Sequence, residues 1–391
     1  MARVLLAWEL GGNYGHLVAL RALASQLGGQ GHACVFAVRM LGPAQEFLDP
    51  QLGPLVQAPV RMTAGRNRVR TQLSYASLLH NIGFNDPVEL AGRIQAWRTL
   101  YAALKTEFVF ADHSPVALVA ARTLGIPAAR MGNGFTLPPV FAPFPSFRPR
   151  MNVPQAVLLR NESAVLKELN HALALLKLRP LPLLQDIFRG AASALLTYAQ
   201  LDHYEVERPE AFRGLPDYSY GQRPKWPDGK GPKIFAYLRP SPNLPAVLKA
   251  LKRTNARVLL RLPGGDPGLA RDCARAGMAV APGSVHFRLA AESCDAFVNY
   301  GAHATVAEFL LAGKPGLLLP DLQERVLTAR RAVATGGALA ASTRDPSGMR
   351  ASLERLLEDP APRRAAEQFA ARHAGLNRRE ILPALVDEVL G

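Results

Sequence analysis

The sequence is short of cysteine, aromatic residues, acidic charge and long apolar runs, and each shortage excludes a class of protein. Its three cysteines, Cys34, Cys273 and Cys294, are too few and too scattered for a disulfide framework or a zinc site. They read as small buried hydrophobes in a reducing compartment. Aromatic residues make up only 7% of the chain, and no basic segment carries interleaved stacking rings, which argues against a nucleic-acid binder. No apolar run reaches the roughly 18 to 20 residues of a spanning helix. The opening "MARVLLAWEL" has one Arg and a short apolar run cut off by Glu9, without the h-region and cleavage site of a signal peptide, so a cytoplasmic location is expected.

What is abundant is basic charge. Lys and Arg number 46 against 31 Asp and Glu, a net +15 that attracts anions such as phosphate, acidic lipid or nucleic acid without naming one. Arginines gather at Arg61, Arg66, Arg68 and Arg70, and again at Arg148 and Arg150. These are solvated loops or a rim for an acidic acceptor or anionic headgroups, and the neighbouring "FTLPPVFAPFPSFRPR" sets Phe beside Arg as in a peripheral membrane contact. The length, 391 residues, exceeds what one core usually serves.

Short apolar runs, "RVLLAW", "HACVFAV", "FVFAD" and "PAARM", alternate with helical spacing such as Leu17, Leu20, Leu23, Ala24 and Leu27. That alternation predicts parallel sheets covered on both faces. The Pro- and Gly-rich segment from Pro216 to about Lys233 marks a boundary, after which the alternation restarts at "KIFAYL". The expected organisation is a first α/β domain over 1–215, a linker over 216–232, a second α/β domain over 233–370, and a C-terminal helix over 371–391 that packs back on the first domain. Ligands in such sheets bind beyond the carboxyl ends of the strands.

Three strand-to-helix joints carry candidate chemistry. In "ELGGNYGHLVALRALASQL", Gly11, Gly12 and Gly15 allow positive φ and close approach of a ligand to a helix N-terminus, with Asn13 and Tyr14 between them. The spacing is neither a dinucleotide fingerprint nor a Walker A loop. His16, at the start of that helix, has a pKa suited to taking a proton, though a structural His is the simpler reading. In "FVFADHSPVAL", Asp112 ends a strand on the same edge, either as a helix cap or as a carboxylate orienting His16, and Ser114 can cap the helix at Pro115. In "SCDAFVNYGAHATVAEFLLAGKPGLLLPDLQERV", a small-residue turn, Gly301 to Ala304, precedes a helix from Thr305, with Glu308 one turn on and Glu324 after the next strand. Such a turn lets phosphates reach the helix N-terminus.

These segments resemble the GT-B glycosyltransferases, in particular the UDP-glycosyltransferase superfamily. The first joint is similar to that family's glycine turn and Gly-His pair, and the third to its donor-binding segment. The resemblance implies two Rossmann-like doubly wound domains facing across a cleft, and a bacterial, inverting, metal-independent transferase moving a sugar from a nucleotide-sugar, UDP-sugar above all, to an acceptor hydroxyl. No cofactor beyond that co-substrate is implied, and the acceptor is unknown. His16 would be the general base and Asp112 its partner. Gly301, Ala302, His303, Ala304 and Thr305 would hold the diphosphate, Glu308 the ribose, Glu324 the sugar, and Val285 with His286 the nucleobase. Arg239 and Ser241 match the first donor-side loop. Gly12, Asn13, Tyr14 and Asn133 would lie on the acceptor side.

The departures are as informative. The family's diphosphate-binding His corresponds to Tyr300, two of its glycines to Ala302 and Ala304, and the Gln of its sugar-contacting pair to Arg325. Tyr300 cannot become cationic, His303, two or three residues on, either compensates or does not, and Arg325 either favours an acidic sugar or points to solvent. Two alternatives stay open: a nucleotide-sugar 2-epimerase of the same fold, and a relative that binds sugar nucleotides or a partner without turnover.

Overall fold

The computed structural model describes residues 1–12, 14–62, 67–218 and 220–391. Two sequence expectations, for Asn13 and for Arg66, lie outside these residues. The chain divides into two compact units, Met1–Thr197 with Tyr204–Pro216 and Arg379–Gly391, and Tyr198–His203 with Asp217–Arg378.

The first unit runs β1 (Arg3–Trp8), α1 (Tyr14–Gly29), β2 (Ala33–Val38), α2 (Leu41–Phe47), β3 (Leu55–Gln57), α3 (Tyr75–Leu79), α4 (Pro87–Leu104), β4 (Phe108–Asp112), α5 (Pro115–Leu124), β5 (Ala128–Gly132), α6 (Gln155–Leu175) and β6 (Ala192–Leu195). The second runs β7 (Lys233–Tyr237), α7 (Leu244–Lys252), β8 (Arg257–Arg261), α8 (Pro267–Arg275), β9 (Ala279–Val280), α9 (Phe287–Ser293), β10 (Ala296–Asn299), α10 (His303–Leu311), β11 (Gly316–Leu318), α11 (Gln323–Ala334), β12 (Ala338–Ala340), α12 (Pro346–Glu358) and α13 (Pro360–His373). The last helix, α14 (Ile381–Leu390), belongs to the first unit. There Gln30, just past α1, donates to Asp387 of α14 at 2.7 Å, and Arg213 pairs with Glu388.

Each unit holds one six-stranded parallel sheet, ordered β3-β2-β1-β4-β5-β6 in the first and β12-β11-β10-β7-β8-β9 in the second. Counted from each unit's own first strand, both orders read 3-2-1-4-5-6, the doubly wound Rossmann arrangement. Both sheets therefore reverse direction between their first and fourth strands, β1 and β4 in one and β7 and β10 in the other. The strands are apolar on both faces because helices cover both: β4 is buried throughout, and β1 from Val4 onward. The α1 stripe packs inward as its spacing requires, with Leu17, Leu20, Leu23, Ala24 and Leu27 buried.

Local chemistry sets many helix starts. Helices α4, α12 and α13 each follow an Asp-Pro pair in which the carboxylate of Asp86, Asp345 or Asp359 accepts an N–H of the first turn while proline occupies the first helical position. No helix among the described residues is long and apolar enough to cross a membrane.

Candidate functional site

In the first unit, β1 and β4 are in register, so that Trp8 lies beside Asp112. His16 is the third residue of α1, the helix that follows β1. Its Nδ1 lies 2.9 Å from Asp112 Oδ2, joining residues 96 apart across the point where the sheet reverses. A carboxylate on Nδ1 selects the tautomer with its lone pair on Nε2 and stabilises the imidazolium. The ring stacks on Trp8 at 5.1 Å between centroids, and the Trp8 indole donates to the Leu10 carbonyl at 2.6 Å. Gly11 has φ +85°, and a Cβ there would stand 2.6 Å from His16 Nε2. This glycine is what leaves room for the Nε2 edge of the imidazole. Gly12 and Gly15 differ from expectation: neither has a positive φ or a close neighbour, and Gly15 lies inside α1, so they leave space beside the helix start rather than shaping the turn.

The joint after β4 is built differently from the sequence reading. Ser114 occupies the N-cap position of α5, but its hydroxyl donates to the Asp112 carbonyl at 3.0 Å and accepts from Glu9 N–H at 2.9 Å. The cap comes instead from Glu9, whose carboxylate accepts from Val116 N–H at 3.1 Å and Ala117 N–H at 2.8 Å. Glu9 is a site residue that the sequence reading missed, although its break in the apolar run was the available signal. Burial outweighs Arg93 and the two helix N–H groups and pushes its carboxyl up to about 7.

Relieved of capping, Asp112 is left to His16. Between Asp112 and Ser114, His113 is held at φ +47°, a left-handed conformation that costs a non-glycine residue roughly 1–2 kcal/mol. Of the other residues expected on an acceptor side, Tyr14 is half-buried with its ring 6.4 Å from Phe47. Asn133 uses its side-chain oxygen to accept from Phe135 N–H at 2.9 Å and Thr136 N–H at 3.2 Å, forming the turn after β5.

The second unit repeats the layout with other side chains. Beyond β7 and β10, Ser241 Oγ and Tyr300 Oη are 3.1 Å apart, and Tyr300 also reaches the Arg239 carbonyl at 3.4 Å. Burial, opposed in part by Ser241, pushes the Tyr300 phenol up, so it stays neutral. Gly301 has φ +89°, and a Cβ there would meet the Arg325 carbonyl oxygen at 2.8 Å. Its N–H donates to the Asn299 side chain. Helix α10 begins at His303, two residues before the expected start, with Ala302 as N-cap, Ala304 exposed and Thr305 buried. The first N–H groups of such a helix have no partner within it.

His303 does not supply the cation that Tyr300 lacks. Its ring packs 5.4 Å from His203, which bonds Thr328 at 3.0 Å, and burial holds its pKa down to about 4. Arg325 does not point to solvent: it is buried, donates to Asp321 at 2.6 Å, and lies over the Tyr300 ring. Glu324, half-buried in the first turn of α11, accepts from Thr328 Oγ1 through its carbonyl at 3.2 Å. Both carboxylate oxygens of Glu308 accept from Arg378, at 3.0 and 2.5 Å, a fork between residues 70 apart that no local pattern signals. His286 caps α9 through its ring, at 3.4 Å from Leu289 N–H. Its own N–H donates to the Gln222 carbonyl at 2.8 Å, while Gln222 N–H donates to the Ser284 carbonyl at 2.9 Å. Such a parallel bridge turns the N–H and C=O of Val285 away from Gln222.

No protein-family model matches the chain, and no curated protein matches it in sequence. Solved structures do match in fold. The glycosyltransferase VinC in complex with dTDP has a TM-score of 0.69 at 15% identity over 99% of both chains. The Streptomyces sp. SF2575 glycosyltransferase SsfS6 complexed with thymidine diphosphate has a TM-score of 0.66 at 20% identity, over 99% of this chain and all of that one. The spinosyn rhamnosyltransferase SpnG complexed with spinosyn aglycone has a TM-score of 0.69 at 16% identity, over 98% of this chain and all of that one. The chain therefore has the GT-B fold of these bacterial glycosyltransferases, with two Rossmann-like units. Nothing in these likenesses favours a nucleotide-sugar epimerase.

Proposed function

We propose that the protein is an inverting glycosyltransferase that moves a sugar from a nucleoside-diphosphate donor to an acceptor hydroxyl. The observation that carries this reading is the bond between His16 Nδ1 and Asp112 Oδ2 at 2.9 Å, in a fold shared with solved glycosyltransferases. Nε2 takes the proton of the acceptor hydroxyl as its oxygen attacks the anomeric carbon from the face opposite the diphosphate. The bond from that carbon to the diphosphate oxygen breaks, its electron pair leaves with the diphosphate, and the anomeric configuration inverts. Asp112 stabilises the imidazolium that forms.

On the donor side the diphosphate rests on the first N–H groups of α10, where the helix dipole favours negative charge and offsets the missing cation at Tyr300. No metal ion is needed for that step, so transfer should survive EDTA. Glu308, its charge balanced by Arg378, keeps lone pairs for a sugar hydroxyl of the nucleoside, because a carboxylate offers about four acceptor positions. The main chain of Val285 faces the nucleobase. VinC, SsfS6 and SpnG were each crystallised with thymidine diphosphate, which favours a dTDP-sugar over the UDP-sugar implied by the sequence.

Calorimetric titration with dTDP, UDP and GDP, on the wild type and on Ala304→Trp, tests the reading. Ala304 is exposed on the first turn of α10, so the indole obstructs the helix N-terminus without entering the core. Micromolar binding of dTDP that disappears in the variant is expected. Failure of all three nucleotides to bind would overturn the transferase reading and leave a binding protein of the same fold.

A further inference from the structure

The mechanism leaves His113 unused, and its surroundings give it a role. The side chain is buried, and its Nε2 is a solvent-excluded polar atom with no hydrogen-bond partner among the described residues. Such an atom is costly unless a ligand or a buried water meets it. The ring is inclined by 27° to that of His16, 6.3 Å away between centroids, on the edge where the acceptor hydroxyl must arrive. Phe135 and Tyr75 wall it at 6.2 and 6.3 Å, and the Tyr75 hydroxyl is a second buried polar atom without a partner among the described residues. The left-handed turn that carries His113 is pinned by Ser114 to both Asp112 and Glu9, so the imidazole is placed by the same contacts that free Asp112 for His16.

Resting on the glycosyl-transfer reading, we propose that His113 Nε2 binds a second oxygen of the acceptor, adjacent to the hydroxyl that His16 deprotonates, and so selects acceptors bearing a vicinal pair of oxygens on an apolar ring. Two imidazoles about one ring-stacking distance apart address two neighbouring oxygens of one molecule. Phe135 and Tyr75 offer apolar surface to the ring that carries those oxygens. Burial first, and the nearby His16 second, hold the His113 pKa down to about 3. The group thus stays neutral at working pH, able to donate or accept one hydrogen bond but not to compete with His16 for the transferred proton.

The test uses 2,3-dihydroxynaphthalene and 2-naphthol, which differ by one oxygen beside the reacting one. Calorimetry is run with each on the full-length wild type, His113→Phe and His113→Asn, with dTDP and UDP titrated into all three proteins as a measure of the second unit. The wild type should bind the diol roughly five- to ten-fold more tightly than the naphthol, the range of one net hydrogen bond. His113→Phe should abolish that preference while leaving nucleotide affinity unchanged. His113→Asn tolerates the left-handed backbone and keeps a polar group, and should restore part of it. Equal affinity for the two probes in the wild type, binding of neither, or a preference that persists in His113→Phe would overturn the inference and leave Nε2 a partner for buried water alone. Because the nucleotide titrations are read separately, a wild type that binds nucleotide but shows no diol preference rejects only this inference. A preference that follows His113 in a protein that binds no nucleotide rejects only the transferase reading.

Discussion

The two sheets share one strand order and differ in what they hold at the same place. Where the first sheet reverses, a titratable pair spans the gap, His16 on Asp112 at 2.9 Å; where the second reverses, two neutral hydroxyls do, Ser241 and Tyr300 at 3.1 Å. The residue after the first strand differs in the same sense: the buried carboxyl Glu9 follows β1, and the apolar Leu238 follows β7. Topology decides where side chains from distant segments meet, and the residues at the strand ends decide whether a titratable pair or two neutral hydroxyls stand there.

The largest break in this comparison should come from the first unit's pair. His16→Ala and Asp112→Asn should each lower turnover by on the order of 10²- to 10⁴-fold, with nucleotide affinity unchanged by calorimetry. The double variant should cost little more than either, because the two act as a unit. A double variant that multiplies the single losses would show that Asp112 does not act through His16.

Glu9 sharpens the contrast through pH. Its carboxyl is held at about 7 in the fold against an ordinary 4.5, so between those pH values the folded state binds the extra proton. The associated stability is complete below pH 4.5 and lost as pH rises to 7, about 3 kcal/mol in all. His113 and His303, held down to about 3 and 4, slope the other way, so their stability is present above their ordinary 6.5 and lost as pH falls. Denaturant melts of the wild type and Glu9→Gln at pH 4.5 and 7.5 separate the two. The difference between the proteins should shift by that amount toward Glu9→Gln at the higher pH, and a pH-independent difference would place the proton elsewhere.

The smallest effects compare the two positive-φ glycines. Gly11→Ala and Gly301→Ala should each lose roughly 1–2 kcal/mol of stability. Gly11→Ala crowds His16 Nε2 and should also lower turnover about ten-fold at constant nucleotide affinity. Gly301→Ala crowds the Arg325 carbonyl and should instead weaken nucleotide binding. Identical profiles for the two would mean that the joints do not divide the work.

Much of this was legible in the linear chain. "RVLLAW" is β1 from end to end, and "FVFAD" is β4, because buried parallel strands are continuous apolar runs. The edge strand β3, "LVQ", went unread because three residues, two half-buried and one exposed, make no periodicity. The helix at Pro115 was legible from Ser-Pro, but the group that caps it was not, since Glu9 arrives from a segment 107 residues away.

By itself the sequence determined the alternation of strand and helix, hence two parallel sheets, and the placement of His16, Asp112, Tyr300 and Thr305 at the joints beyond strand ends. Of these four, Asp112 ends its strand, Tyr300 stands just past one, and His16 and Thr305 lie in the first turns of the helices that follow, all properties of period and of local backbone chemistry. Only the tertiary structure decided that Asp112 serves His16 rather than a helix cap, that Arg325 answers to Asp321, and that Arg378 grips Glu308. The physical reason is that a buried charge or hydrogen-bonding group must find a partner, and which partner lies within reach depends on how whole elements pack.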